Sequence, residues 1–193
     1  MPAASPLTPP TPTQAPATLH YDNRSISLHW ITALLVAALW LIGETIDWFP
    51  KGGLRVGARS VHIVLGALLA AVLVTRLWWR SLGGGVHLPP LGAGKLDALA
   101  SLAHKLLYLL LISTVVLGLA NAWIRGDNLF GWFKIPEFDP GNKDLRDTVE
   151  ELHGLCANVL LSVALLHAAA ALMHHHVFKD DTLRRMLPGL RRR

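Results

Sequence analysis

LHGLCANVLLSVALLHAAAALMHHHVF, residues Leu152–Phe178, is the stretch of sequence that decides the fold. It contains no Asp, Glu, Lys or Arg, and a helix of this length crosses a lipid bilayer. Two histidines, His153 and His167, stand among its apolar residues. Fourteen helical residues rise about 21 Å and return to within roughly 40° of the starting direction, so both imidazoles lie on nearly one face, one towards each side of the membrane. Polar side chains inside a membrane are costly and tend to mark function.

Three more uncharged runs precede this one, at Ser25–Gly43, Ser60–Thr75 and Leu106–Ile124. A soluble bundle would show a polar face along each helix, and these runs show almost none. The sequence therefore predicts an all-α fold, an integral membrane four-helix bundle in one domain at 19–188. Its helices are expected at about 26–48, 60–79, 96–123 and 148–178.

The two ends of the chain are predicted to lie outside this domain. Residues 1–18 are rich in Pro and lack the basic start and apolar core of a signal peptide, which indicates a disordered tail. Residues 189–193 form a basic tail. The larger share of the 18 Lys and Arg residues falls on the side of both termini, so the positive-inside rule predicts that both termini are cytoplasmic. Because the basic residues flank hydrophobic runs, the pI of about 9.8 indicates a membrane protein rather than a nucleic-acid partner. The single cysteine excludes an internal disulfide and a cysteine-held iron–sulfur cluster.

Four histidines fall into two pairs when the helices alternate in direction. His29 lies near the start of the first helix, at the depth of His167, and His62 lies near the start of the second, at the depth of His153. Imidazole is a common axial ligand of haem iron, and four-helix bundles often enclose such cofactors. We therefore predict two haems, one above the other, although a single membrane histidine often only hydrogen-bonds to a neighbouring helix.

The same fourteen-residue step links other positions to these two depths. It leads from His29 to Gly43 and from His104 to Gly118, both at the depth of the His62 pair. A missing side chain there would let a flat macrocycle approach the backbone, although simple helix packing explains a glycine equally well.

At the opposite depth, the step leads from His62 to Arg76, whose cation would meet a haem propionate or a quinone oxygen. His104 lies at this depth too, and it either replaces His29 as a ligand or serves a quinone or a propionate. The cluster His174, His175 and His176 is expected at a wet helix end, with metal binding as the alternative.

Several segments resemble the bacterial cytochrome b561 family: SISLHW, VHIVLG, AHKLLYLLL, RGDNLF, ELHGLCAN and LLHAAAALMHHHVFKDDTLRRMLP. The similarity covers about 19–188 and is strongest to the di-haem members of the bacterial inner membrane that oxidise superoxide. It implies two b-type haems held by His29, His62, His153 and His167. It also implies an oxidoreductase that oxidises superoxide to O₂ at the periplasmic face and passes the electrons through the haems to ubiquinone.

Superoxide is an anion, and a positive surface would steer it towards the site. The segments predicted to lie outside carry more carboxylates than cations, so steering would need a local basic patch. The candidate members of that patch are Lys51, Arg55, Arg59, Arg125 and Lys134. Two other functions stay open: a b-type cytochrome subunit that carries electrons between a partner hydrogenase or dehydrogenase and the quinone pool, and a haem-free scaffold or metal transporter.

Overall fold

The computed structural model describes residues 21–83 and 94–187, so the tails at 1–18 and 189–193 lie outside the described residues. Four long helices dominate it, and all four are long and apolar enough to cross a membrane. They are α1 (Asn23–Thr45, extended by a 3₁₀ turn at Ile46–Trp48), α2 (Gly53–Ser81), α3 (Lys95–Arg125) and α4 (Lys143–Met173, continued by a π-helical turn at His174–Phe178). The predicted all-α transmembrane four-helix bundle is confirmed.

Two helices begin five or more residues earlier than the sequence predicted. Helix α2 begins at Gly53 rather than Ser60, because the Arg55 guanidinium donates hydrogen bonds to the carbonyls of Asp47 and Phe49 and so closes the preceding turn. Helix α4 begins at Lys143 rather than near residue 148. The Asn142 side chain caps this start by accepting a hydrogen bond from the Leu145 N–H. The prediction followed the uncharged runs, whereas the first turns of these helices are charged.

A small hairpin joins α3 to α4, and the sequence analysis did not anticipate it. Its strands β1 (Asn128–Leu129) and β2 (Phe133–Lys134) are antiparallel. The turn between them places Phe130 at φ 54° and Gly131 at φ 80°, the two left-handed residues of a type I′ turn. Ser60 is fully buried beneath it; its hydroxyl accepts a hydrogen bond from the Phe130 N–H at 2.8 Å and donates one to its own helix. We call this end of the bundle the hairpin end.

At the opposite end, residues 180–187 fold back over the start of α1. The Tyr21 N–H donates to the Arg185 carbonyl, and the Trp30 indole donates to the Met186 carbonyl at 3.1 Å. The Asp180 carboxylate bonds the His174 ring. Burial acts to raise the pKa of Asp180, but hydrogen bonds, led by the one from His174, outweigh it and hold the pKa below its ordinary value. We call this end the terminal end and residues 180–187 the C-terminal clasp.

The buried core is a layer of leucines in the middle of the bundle. Along its own helix, each leucine lies between the two positions, fourteen residues apart, that stand at the depths of the two predicted histidine pairs. They are Leu35, Leu39, Leu69, Leu73, Leu111 and Leu160. Many other apolar side chains face outward, as expected for a bundle that is surrounded by lipid. The leucine layer therefore separates a group of histidines at each end.

Candidate functional site

The hairpin end brings together the predicted pair His62 and His153. Their ring centroids are 6.2 Å apart, and their planes are nearly perpendicular, at 85°. His62 comes from the third turn of α2, and His153 lies about as far along α4. A cavity of about 280 Å³ opens beside the two rings. We call these two histidines and the side chains around them the hairpin layer.

Gly43 and Gly118 lie against the rings of this pair. A Cβ added at Gly118 would come within 2.9 Å of His153 Cε1, and one added at Gly43 would come within 3.3 Å of His62 Cε1. Both glycines were expected from the sequence at this depth, either to clear space for a macrocycle or simply to pack helices. In the structure, each one leaves room for an imidazole, which is the group that any side chain there would displace.

The backbone of α3 orients the His153 ring. Its Nδ1 lies 3.1 Å from the Thr114 carbonyl, so Nδ1 donates the hydrogen bond and Nε2 is left free to bind a metal. Nδ1 of His62 is buried and has no hydrogen-bond partner among the described residues, although the Leu39 backbone lies near it. Thr114 was missed by the sequence analysis, since a backbone carbonyl leaves no signal in the side-chain pattern.

The hairpin layer fits a haem by three of its features. Imidazole nitrogens bind metals at about 2 Å, so two rings on opposite sides of one metal have centres roughly 6 Å apart, close to the spacing found here. The second nitrogen of His153 is engaged by a carbonyl, as is usual for metal-bound histidines. Both glycines hold space open at the rings. The donor set and its surroundings are therefore suited to a bis-imidazole iron.

Three histidines lie at the terminal end, and the structure brings the rings of two of them together. His104 and His167 have ring centroids 5.2 Å apart, and His29 lies near enough to both, and to Arg76, to interact electrostatically. The Arg76 guanidinium stacks 5.4 Å from the centre of the Tyr108 ring and forms no ion pair within residues 21–83 and 94–187. We call this group the terminal layer. It offers one more imidazole than an iron requires, together with a cation that has no carboxylate partner in the described chain.

The cluster at the end of α4 is separate from this layer. His174 bonds Asp180, and the rings of His175 and His176 contact each other. Across the described residues, no group of three or more His, Cys, Asp or Glu side chains is arranged to hold a metal ion. The described part of the cluster thus offers no support for the metal-binding alternative.

The rim of the hairpin layer is a network of opposite charges. Arg59 and Arg125 each lie 3.7 Å from Asp127, and Arg125 also bonds Glu150. Burial raises the pKa of Asp127 above its ordinary value, and the guanidinium groups of Arg125 and Arg59 offset only part of that rise. All four side chains line the cavity beside the histidine pair. Both carboxylates are among the outer acids expected from the sequence, but their pairing with the two arginines was not predicted.

The structure does not gather the five proposed cations into one unpaired patch. Arg55 pairs with Asp47, and the two arginines of the rim pair with the carboxylates there. Lys51 and Lys134 are exposed and do not line the cavity. Only Arg59 and Arg125 of the five are positioned to act on a small anion at the hairpin layer.

Comparison with known proteins identifies a family over nearly the whole chain. A family model described as prokaryotic cytochrome b561 matches residues 20–189. A protein named probable superoxide oxidase CybB from Yersinia pestis is 32% identical over 172 residues, which is 89% of this chain and 97% of that protein. Cytochrome b561 homolog 1 from Escherichia coli is 32% identical over 171 residues, 87% of this chain and 97% of its own length. Cytochrome b562 from Cereibacter sphaeroides is 31% identical over 176 residues, covering 86% and 94% of the two chains.

Proposed function

The chain belongs to the prokaryotic cytochrome b561 family, and from that premise we propose that it is a di-haem superoxide:ubiquinone oxidoreductase of the bacterial inner membrane. A membrane-bound b-type cytochrome follows from the family alone. The finer activity is supported by the similarity to the relative named probable superoxide oxidase and by the chemistry of the two histidine layers.

In this proposal, His62 and His153 hold one haem b at the hairpin layer, and His29 and His167 hold a second at the terminal layer. The haems, when bound, supply one-electron transfer. The chain's own residues hold and orient them: the Thr114 carbonyl fixes the tautomer of His153, and the leucine core between the layers excludes water. Arg76 supplies a cation for a propionate at the terminal layer.

His104 is the rival ligand at the terminal layer, because its ring lies beside that of His167. The two assignments give opposite results for a pair of matched variants. If His29 is the ligand, His29→Ala loses the terminal haem and His104→Ala keeps it. The reverse result would assign the iron to His104. Haem content per chain and the reduced-minus-oxidised spectrum read out both variants.

The reaction requires two superoxide anions for each quinone. Two superoxide anions give two O₂ and two electrons, and these electrons, with two protons, convert one quinone into a quinol. With both termini in the cytoplasm, the hairpin end faces the periplasm. Arg59 and Arg125 then attract the anion at the cavity, while their carboxylate partners lower the net positive charge there.

The single observation that carries the proposal is the His62–His153 pair, 6.2 Å apart, with a glycine beside each ring. The test is quinone reduction by purified protein under a controlled superoxide flux. We expect His62→Ala and His153→Ala to lose one haem and this activity, and we expect His176→Ala, at an exposed position, to keep both. Unchanged activity in the first two variants would refute the proposed role of the hairpin layer.

One observation favours the alternative of an electron-carrying subunit. The hairpin end exposes a cluster of aromatic side chains, with Trp132 94% exposed and Phe133 and Phe138 more than half exposed. Such a surface suits a partner protein as well as the membrane interface. If the purified chain reduced quinone only when a hydrogenase or dehydrogenase was added and not with superoxide, the alternative would replace the main proposal.

A further inference from the structure

A groove lies at the terminal end of the bundle, between the start of α1 and the end of α2. Its volume is about 510 Å³, a size usual for small-ligand sites, and its described lining residues fall within 23–28 and 75–82. It is separate from the cavity of the hairpin layer, since the two share none of their described lining residues. We call it the terminal groove.

The terminal groove crosses the boundary between the hydrocarbon and the headgroups of a bilayer. On α1 it reaches from Asn23, which precedes the first uncharged run, to Leu28 inside that run. On α2 it begins at Thr75, the last residue of the second uncharged run, and continues past Trp78 and Trp79. Trp is favoured at the membrane interface. The inner part of the groove therefore opens onto acyl chains, and its mouth opens onto headgroups.

Arg24 supplies a cation at the mouth of the groove, and no other charged side chain is among the described lining residues. Its guanidinium lies over the Trp79 ring, 4.7 Å from the ring centre, in a cation–π contact that holds it there. Within residues 21–83 and 94–187, Arg24 forms no ion pair and no side-chain hydrogen bond, so its N–H groups are unused. A guanidinium presents a planar fork of donors that matches a phosphate.

Two neutral polar groups accompany this cation. Asn23 and Ser27 lie one turn apart on α1, so they share a face, and neither side chain forms a hydrogen bond in the part of the chain that the structure describes. The neighbouring acid, Asp22, does not line the groove, and its carboxylate oxygens accept hydrogen bonds from the N–H and the hydroxyl of Ser25. The mouth thus offers one positive charge and further polar groups to a ligand.

The inner part of the groove is apolar. Leu28 and the two tryptophans contribute hydrocarbon and ring surface there. Thr75 is the one polar residue at this depth, and its hydroxyl donates to the Ala71 carbonyl at 2.8 Å, so it does not compete for a ligand. Because the hydrocarbon region holds no water, such a space is filled by an acyl chain. A cation at headgroup depth above an apolar groove at acyl depth is suited to a phospholipid.

We propose that the terminal groove binds one anionic phospholipid, whose phosphate accepts hydrogen bonds from Arg24 and whose acyl chain lies between α1 and α2. The lining holds a cation but no carboxylate, so it favours a headgroup of net negative charge over one that also carries an ammonium group. The lipid belongs to the leaflet at the terminal end, the cytoplasmic one in the predicted orientation. It joins the two helices beside the turn of α1 that carries His29. The inference does not depend on the proposed activity.

The test measures lipid binding by the full-length, haem-loaded protein in detergent. Delipidated protein is titrated with phosphatidylglycerol, which is anionic, and separately with phosphatidylethanolamine, which is zwitterionic, and native mass spectrometry gives the Kd of the first bound lipid. We expect the wild type to bind phosphatidylglycerol more tightly. Arg24→Gln should weaken that binding about tenfold, the effect of one lost charge-assisted hydrogen bond.

Arg80→Gln is the matched control, because it removes the same charge from an exposed residue at the same end of the bundle that does not line the groove. We expect this variant to bind phosphatidylglycerol as the wild type does. Equal losses in Arg24→Gln and Arg80→Gln would indicate general attraction to a basic surface and would overturn the inference. Equal affinity of the wild type for the two lipids would overturn it as well.

A second variant tests the acyl-chain part of the groove and keeps the test decisive if Arg24→Gln loses its haems. Thr75→Phe fills the inner part of the groove from an exposed position and leaves Arg24 in place. We expect it to bind phosphatidylglycerol several-fold more weakly, with an unchanged haem spectrum. Normal binding by Thr75→Phe, or a wild-type protein that copurifies with quinone or fatty acid and no phospholipid, would contradict the site.

Discussion

Replacing Gly118 with alanine is expected to weaken binding of the haem that we propose at the hairpin layer. The new Cβ would lie 2.9 Å from His153 Cε1 and 3.3 Å from its Nδ1, whereas ordinary contacts begin at 3.4 Å. The ring must therefore retreat by about 0.5 Å, which is the whole tolerance of a functional ligand position. Its Nδ1 bonds the Thr114 carbonyl at 3.1 Å, and a retreat of the ring from α3 would lengthen and weaken that bond.

The size of the effect follows from overpacking. Inserting a methyl group into a packed contact costs about 1–3 kcal/mol, and about 2 kcal/mol corresponds to a roughly 30-fold loss of affinity for the bound group. The assay is a redox titration of the purified protein with haem content per chain. We expect one of the two haem transitions to shift or disappear in Gly118→Ala, and the other to stay unchanged.

Alanine variants at two other glycines serve as comparisons for this experiment. Gly43→Ala should have a smaller effect, because its Cβ would lie 3.3 Å from the His62 ring. Gly57→Ala should have none, because nothing lies within 4 Å of its Cβ and the residue is outside the cavity. If Gly118→Ala matched Gly57→Ala in haem content and in both redox transitions, the contact with His153 would not control the site.

Three further variants test other parts of the structure. Ser60→Ala leaves the partly buried Phe130 N–H without its acceptor and should lower the free energy of unfolding by about 1 kcal/mol, measured by thermal loss of the haem absorbance. Arg125→Gln removes a side chain that is 10% exposed from between two carboxylates and should cost about 3 kcal/mol in the same assay. The pKa of Asp180 is lowered below 3.8, so its bond to His174 stabilises the C-terminal clasp fully above pH 3.8, and this stabilisation is lost as the pH falls through the folded pKa. Hydrogen exchange in residues 180–187 should therefore become faster in acid, and Asp180→Asn should abolish this dependence on pH.

The sequence was sufficient for the bundle and for the depths of its histidines. Long uncharged runs identify spanning helices because the bilayer sets their length. The fourteen-residue step placed Gly118 at the depth of His153, and the structure finds the two in contact. That step depends only on helical geometry, whereas the choice between His29 and His104 as partner of His167 depends on how the helices pack.

Specific contacts between helices could not be predicted from the sequence. The bonds from His153 to the Thr114 carbonyl and from Trp40 to Asn158 depend on how α1, α3 and α4 rotate against one another, and periodicity does not determine that rotation. The pairing of Arg125 with Glu150 likewise required the structure. Three of the five cations that the sequence suggested as a basic patch thus pair with carboxylates in the structure.

The hairpin was missed for a local reason. Its turn needs two residues with positive φ, and the first of these is Phe130, a residue type that rarely adopts this conformation. Burial of Ser60 under the turn stabilises it, which is a tertiary effect. The start of α2 at Gly53 is a similar case, because the turn before it is closed by Arg55 and not by any break in the apolar pattern.

The central claim is that each histidine layer holds one haem, and the most direct test is a count of haems with each layer disabled in turn. Wild-type protein should carry two b-type haems per chain, with two separate low-spin signals in electron paramagnetic resonance. The double variant His62→Ala, His153→Ala should keep one of these signals, and His29→Ala, His167→Ala should keep the other. A colourless wild-type protein, or two haems retained in either double variant, would contradict the account.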